Sequence, residues 1–107
     1  MPTTLELQFH DAMLNIYRRA QVECGYNATR FLQMISETNG LDAARQLLRG
    51  RDSSDGFTEL WKCGRLDISM EALVLNSRWK PLFSDEERAI AKRRLEEHKF
   101  TSWDTIQ

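Results

Sequence analysis

The chain has 107 residues, 41% of them hydrophobic and 29% charged, enough for one domain with a modest core and too short for two ordinary ones. Fifteen Lys and Arg stand against sixteen Asp and Glu, a formal net charge of -1, which removes any global electrostatic pull toward nucleic acid or an anionic membrane. Five Gly and two Pro exclude collagen-like and low-complexity chains, and the apolar content is too high for a disordered one.

Thr3 and Glu6 have capping-box spacing, so a helix is expected from about Thr4 to Cys24, with Phe9, Met13, Ile16, Tyr17 and Ala20 on its apolar stripe and Gly25 closing it. Asn27 is the expected N-cap of a second helix over about 28–38, carrying Ala28, Phe31, Leu32 and Ile35, and Asn39-Gly40 is its stop. A third helix over about 41–49 follows at once, with Leu41, Ala44, Leu47 and Leu48 as its stripe and Gly50 as its end. Arg51 to Gly56 reads as a polar surface loop.

Phe57, Leu60 and Trp61 are spaced for a short helix ending near Gly64, with Ser54 or Asp55 as cap. Leu66, Ile68 and Met70 alternate as a strand would, but no partner strand is visible, so Asp67 or Ser69 is read instead as the cap of a helix carrying Met70, Leu73 and Val74. Pro81 breaks what precedes it. Ser84 and Glu87 form a second capping box, opening a last helix from Asp85 to about Lys99. Its apolar content is thin (Ile90, Ala91, Leu95), so it is expected to lie peripherally, with Lys92–Glu96 and Arg93–Glu97 as surface pairs. The result is an all-α fold, a compact single-domain bundle of five to six short helices over residues 1–107, with an ordered core of about 4–99 and a partly docked tail.

The stretches Gly25 to Met34, Gly56 to Trp61, Gly64 to Leu75 and Leu82 to Glu87 resemble a family of small bacterial helical domains with no assigned activity; the likeness spans roughly Leu14 to Phe100. It implies a bacterial, cytosolic, stand-alone domain and carries over no site residue. Where the family shows Trp-Glu, this chain has Trp61-Lys62-Cys63, which argues against a shared role for Lys62 or Cys63.

No apolar run is long enough to cross a bilayer and the amino terminus lacks secretory-signal features, so a cytoplasmic location without membrane contact is expected, and Cys24 and Cys63 are expected as free thiols. Neither Cys nor His10 and His98 show metal-ligand spacing, and no cofactor or metal is expected. His10 and Asp11 are adjacent, hence about 100° apart on a helix, and cannot form a base–orienter pair. No catalytic residue is assigned.

Three constellations remain. Asn27, Arg30, Arg65, Asp67 and Glu71 could line a polar pocket, or serve only as caps and structural ion pairs. Trp79, Phe100 and Trp103 mark a hydrophobic patch for a protein partner or self-association, the preferred reading being a non-catalytic interaction or regulatory module. The alternative is a nucleic-acid binder in which the second and third helices form a helix-turn-helix-like hairpin presenting Arg45, Arg49 and Arg51, diluted by Asp42, Asp52 and Asp55.

Overall fold

A computed structural model describes residues 3–50 and 55–100. The architecture is all-α: among the described residues there is no strand, and the helices are α1 (Thr4–Cys24), α2 (Thr29–Glu37), α3 (Gly40–Arg49), α4 (Asp55–Lys62), α5 (Met70–Leu75) and α6 (Asp85–Glu97). Two 3-10 segments, Leu66–Ile68 and Ser77–Leu82, flank α5, and Pro81 sits inside the second.

The first helix follows its sequence signals. The Thr3 hydroxyl accepts the Glu6 N–H at 3.1 Å, Phe9, Met13, Ile16 and Ala20 are buried, and Gly25 turns the chain with φ 64. That conformation is open to glycine at little cost. The second helix departs from expectation. It starts at Thr29, its N-cap is Ala28 with no side-chain bond, and Asn27 is not a cap. The Asn27 Oδ1 instead accepts the Tyr17 hydroxyl at 2.8 Å, tying the linker back to α1. Asn39 does the capping work predicted for Asn27, one helix later: its Oδ1 accepts the Asp42 N–H at 2.9 Å.

The crossing of α1 and α3 is set by Gly40. A Cβ there would lie 2.6 Å from the His10 Cα, so only glycine permits this approach. At the same point His10 Nδ1 accepts the Gly40 N–H at 2.9 Å, satisfying a first-turn donor of α3 across the interface.

The rejected strand is indeed helical: Leu66–Ile68 is a 3-10 turn, and Ser69, rather than Asp67, caps α5 by accepting the Ala72 N–H at 3.2 Å. The capping box at Ser84 and Glu87 is complete, at 3.1 and 2.9 Å. The helix it opens is less peripheral than its composition suggests. Ala91, Arg94 and Leu95 are all buried, and α6 packs on both α5 and α3. The core is one cluster drawn from all six helices, α2 contributing only Ile35 to its buried members.

The expectation of two free thiols is overturned. Cys24 and Cys63 form a disulfide with Cα atoms 6.0 Å apart, joining the C-terminal ends of α1 and α4 across 39 residues of sequence. Nothing in the local sequence announces it, because the pairing depends on two helix ends meeting in space.

Candidate functional site

The five residues of the expected polar pocket do not all converge: Arg65 and Asp67 lie apart from the other three. Arg65 and Asp67 form a bidentate pair at 2.9 and 3.0 Å, and Arg65 also donates to Glu23, which in turn accepts Arg19 at 2.7 Å. This alternating chain of two cations and two carboxylates binds the end of α1 to the 3-10 turn beside the disulfide. Arg19 and Arg65 hold the Glu23 carboxyl below the usual carboxylate range, Arg65 does the same to Asp67, and the two carboxylates raise the Arg65 guanidinium. The four charges cancel, so the cluster has no surplus charge with which to bind an ion.

Asn27, Arg30 and Glu71 do share one cavity. It measures about 560 Å³ and is bounded by the second half of α1, the α1–α2 linker, α2, Leu47 of α3, the start of α4 and the start of α5. This is inside the size range of small-molecule sites. Its walls are apolar: Ile16 and Ala20 from α1, Phe31 and Met34 from α2, Phe57 and Leu60 from α4, and Met70 from α5. Phe31, Met34 and Leu47 are only half-buried although they pack against the core. The strongly amphipathic α2 thus turns its apolar side toward a space that the described residues do not fill.

The polar groups of the cavity divide into a floor and a rim. At the floor Ser69 and Glu71 are 1% and 2% exposed. Glu71 meets Arg94 at 3.1 Å, and the same guanidinium donates to the carbonyls of Leu47 (3.1 Å), Leu48 (3.3 Å) and Gly50 (2.8 Å). Arg94 therefore satisfies the carbonyls at the end of α3 while neutralising a carboxylate from α5. Burial pushes the Glu71 carboxyl up, with the Arg94 charge opposing that shift. At the rim Asn27, Thr29 and Arg30 surround the uncapped start of α2. The Arg30 guanidinium makes no hydrogen bond or ion pair among the described residues.

Arg94 and its bonds were not foreseen, although a signal existed. The residue lies three positions after Ala91 and four after Ile90, on the apolar stripe of its helix, where a charge demands a buried partner.

The expected aromatic patch is corrected. Trp79 is 3% exposed, packed edge-on against Phe9 with centroids 5.4 Å apart and covered by Arg78 at 4.6 Å. It belongs to the core and offers no surface. Phe100 is half-buried against that core, and Trp103 lies outside the described residues. Among the described residues the exposed aromatic is Trp61, at 49%, which meets the His98 ring at 5.1 Å. A second hollow of about 470 Å³ borders Trp79, Asp67 and Arg78.

Of the three arginines of the helix-turn-helix reading, Arg45 is committed within the fold. Arg45 donates to the Leu82 carbonyl at 2.8 Å and lies 3.4 Å from Glu87, fastening α3 to the start of α6. Arg49 is exposed, and Arg51 lies outside the described residues. Among the described residues no group of three or more His, Cys, Asp and Glu could hold a metal ion, and no helix is long and apolar enough to cross a membrane.

No family model matches the chain, and no curated protein or solved structure matches it either.

Proposed function

We propose that the chain is a non-catalytic binding module, interacting or regulatory, that works through the cavity beneath α2 by taking in an apolar occupant. One observation carries this reading: about 560 Å³ of space among the described residues, walled mainly by apolar side chains from five helices. A cavity of that size lined by half-buried Phe31, Met34 and Leu47 leaves apolar surface uncovered, and its burial by an occupant yields free energy in proportion to area. The expected protein partner or second copy would engage the same cavity with an apolar side chain or helix face, in place of the Trp79 patch. The nucleic-acid reading has less support, since Arg45 is already committed to Leu82 and Glu87.

The bacterial and cytoplasmic assignments are part of the same proposal. The Cys24–Cys63 bond pulls against the second, because a reducing interior does not maintain structural disulfides. Alkylation of the protein in its native cell extract discriminates: protected thiols support an oxidised pair, and full labelling supports the cytoplasm.

The test of the binding reading is titration with an environment-sensitive apolar dye. Saturable binding that Met34→Trp and Leu47→Trp each abolish, with thermal melting preserved, supports it. Binding unaffected by both substitutions overturns it.

A further inference from the structure

Resting on that cavity reading, we infer that the preferred occupant is an amphiphilic anion: an aliphatic chain of medium length ending in a carboxylate, with the chain inside the cavity and the carboxylate at Arg30. Among the described residues, the buried polar side chains of the floor are already partnered and offer nothing to a polar ligand body. Ser69 already bonds the Leu66 carbonyl and the Ala72 N–H, and Glu71 is matched to Arg94. An occupant of the interior is therefore apolar along its length, since unpaired polar atoms placed there would lose their water without recompense.

The two ends of the cavity differ in charge. The floor pair of Glu71 and Arg94 is closed on itself and neutral, whereas at the rim Arg30 is a positive charge with no ion pair among the described residues. The first turn of α2 adds to it, with neither a capping side chain nor an acidic residue to offset the positive end of the helix dipole. A carboxylate at the rim stays in contact with water and acquires a counter-charge, at no cost of deep burial. A cationic amphiphile would meet Arg30 with like charge, and a neutral alcohol would use only the apolar walls. Charge complementarity thus selects among occupants that fit equally well by shape.

The experiment is calorimetric titration of the intact, oxidised protein with straight-chain carboxylates from hexanoate to dodecanoate, kept below their micelle concentrations, alongside decanol and decylamine. Affinity should rise about fourfold per added methylene until the cavity is full. Decanoate should bind roughly three- to fivefold more tightly than decanol at low salt and lose that advantage at high salt. Arg30→Ala should equalise decanoate and decanol while leaving decanol unchanged, and Arg30→Lys should restore part of the difference. Equal binding of decanoate, decanol and decylamine to the unmodified protein overturns the anion inference and leaves the apolar cavity standing. Absence of binding by all three overturns both.

Discussion

Replacing Arg94 by Met should be among the most damaging single changes to this domain, and its cost should depend on pH in a way no cavity or packing defect would. The guanidinium is 5% exposed and has four acceptors, three of them carbonyls of Leu47, Leu48 and Gly50 and the fourth the carboxylate of Glu71, itself 2% exposed. Met preserves much of the volume and removes every bond. Breaking a buried pair from one side costs about 3–5 kcal/mol, a large part of the roughly 5–15 kcal/mol that holds a domain of this kind together.

The abandoned Glu71 can escape by taking up a proton. Its carboxyl is already pushed up by burial, and loss of the Arg94 charge raises it further. A folded-state pKa above the unfolded one means that stability falls as pH rises from the unfolded value through the folded one. The Arg94→Met variant should therefore be markedly weaker at about pH 8 than at about pH 5. Urea unfolding followed by tryptophan fluorescence at the two pH values measures this. The double variant Arg94→Met, Glu71→Met should recover most of the loss and erase its pH dependence, because an apolar pair of similar volume is often neutral in place of an ionic one. A single-variant loss below about 1 kcal/mol, or a loss equal at both pH values, would refute the role assigned to this pair.

Three further outcomes follow from the same physical account. Cys63→Ser opens a loop spanning 39 residues of sequence, so chain-entropy arithmetic gives a loss of ~4 kcal/mol; calorimetry should show a melting temperature lower by on the order of 15 °C or more, and an unchanged melt would contradict a stabilising cross-link. Gly40→Ala drives a methyl to 2.6 Å from the His10 backbone and should cost about 2–3 kcal/mol by forcing α1 and α3 apart, whereas Gly25→Ala meets no atom and should cost only about 1 kcal/mol for its left-handed backbone. Acid titration should show two opposed effects: protonating Glu71 lessens a burial penalty as pH first falls, while Glu23 and Asp67, held down by Arg19 and Arg65, contribute stability that persists above their unfolded pKa values and disappears as pH falls through the folded ones. Circular dichroism should accordingly show unfolding only below about pH 4, and Arg65→Met should move its onset upward; a steady decline beginning near neutrality would be the contrary result.

Much of the fold was legible because short-range chemistry determines it. Thr3, Ser69 and Ser84 cap helices through bonds spanning three residues, and the stripe from Phe9 to Ala20 repeats at helical spacing; both are written locally. Asn27 was misread for the same reason, since its suitability as a cap is local and the Tyr17 hydroxyl that captured it lies ten residues away. The bonds that join one element to another depend on longer separations: Arg94 reaches Leu47 across 47 residues, Arg65 reaches Glu23 across 42, and His10 reaches Gly40 across 30. Trp79 illustrates the converse. A tryptophan in a short polar stretch resembles a surface anchor until Phe9 arrives from the other end of the chain to cover it. Of the five residues expected to line a polar pocket, Asn27, Arg30 and Glu71 border the cavity, but its apolar walls give no local signal: Phe31 and Leu47 fall on helix stripes that read as core, and Met34 falls on none.

The central claim, that the cavity beneath α2 receives an apolar occupant, is tested most directly by amide chemical-shift mapping during titration with decanol. Shifts should concentrate at Phe31, Met34, Leu47, Leu60 and Met70, which line the cavity, and leave Phe9 and Phe83, which pack on each other and do not line it, unmoved. Shifts scattered over the surface, centred on Trp61, or absent at saturating decanol would contradict it.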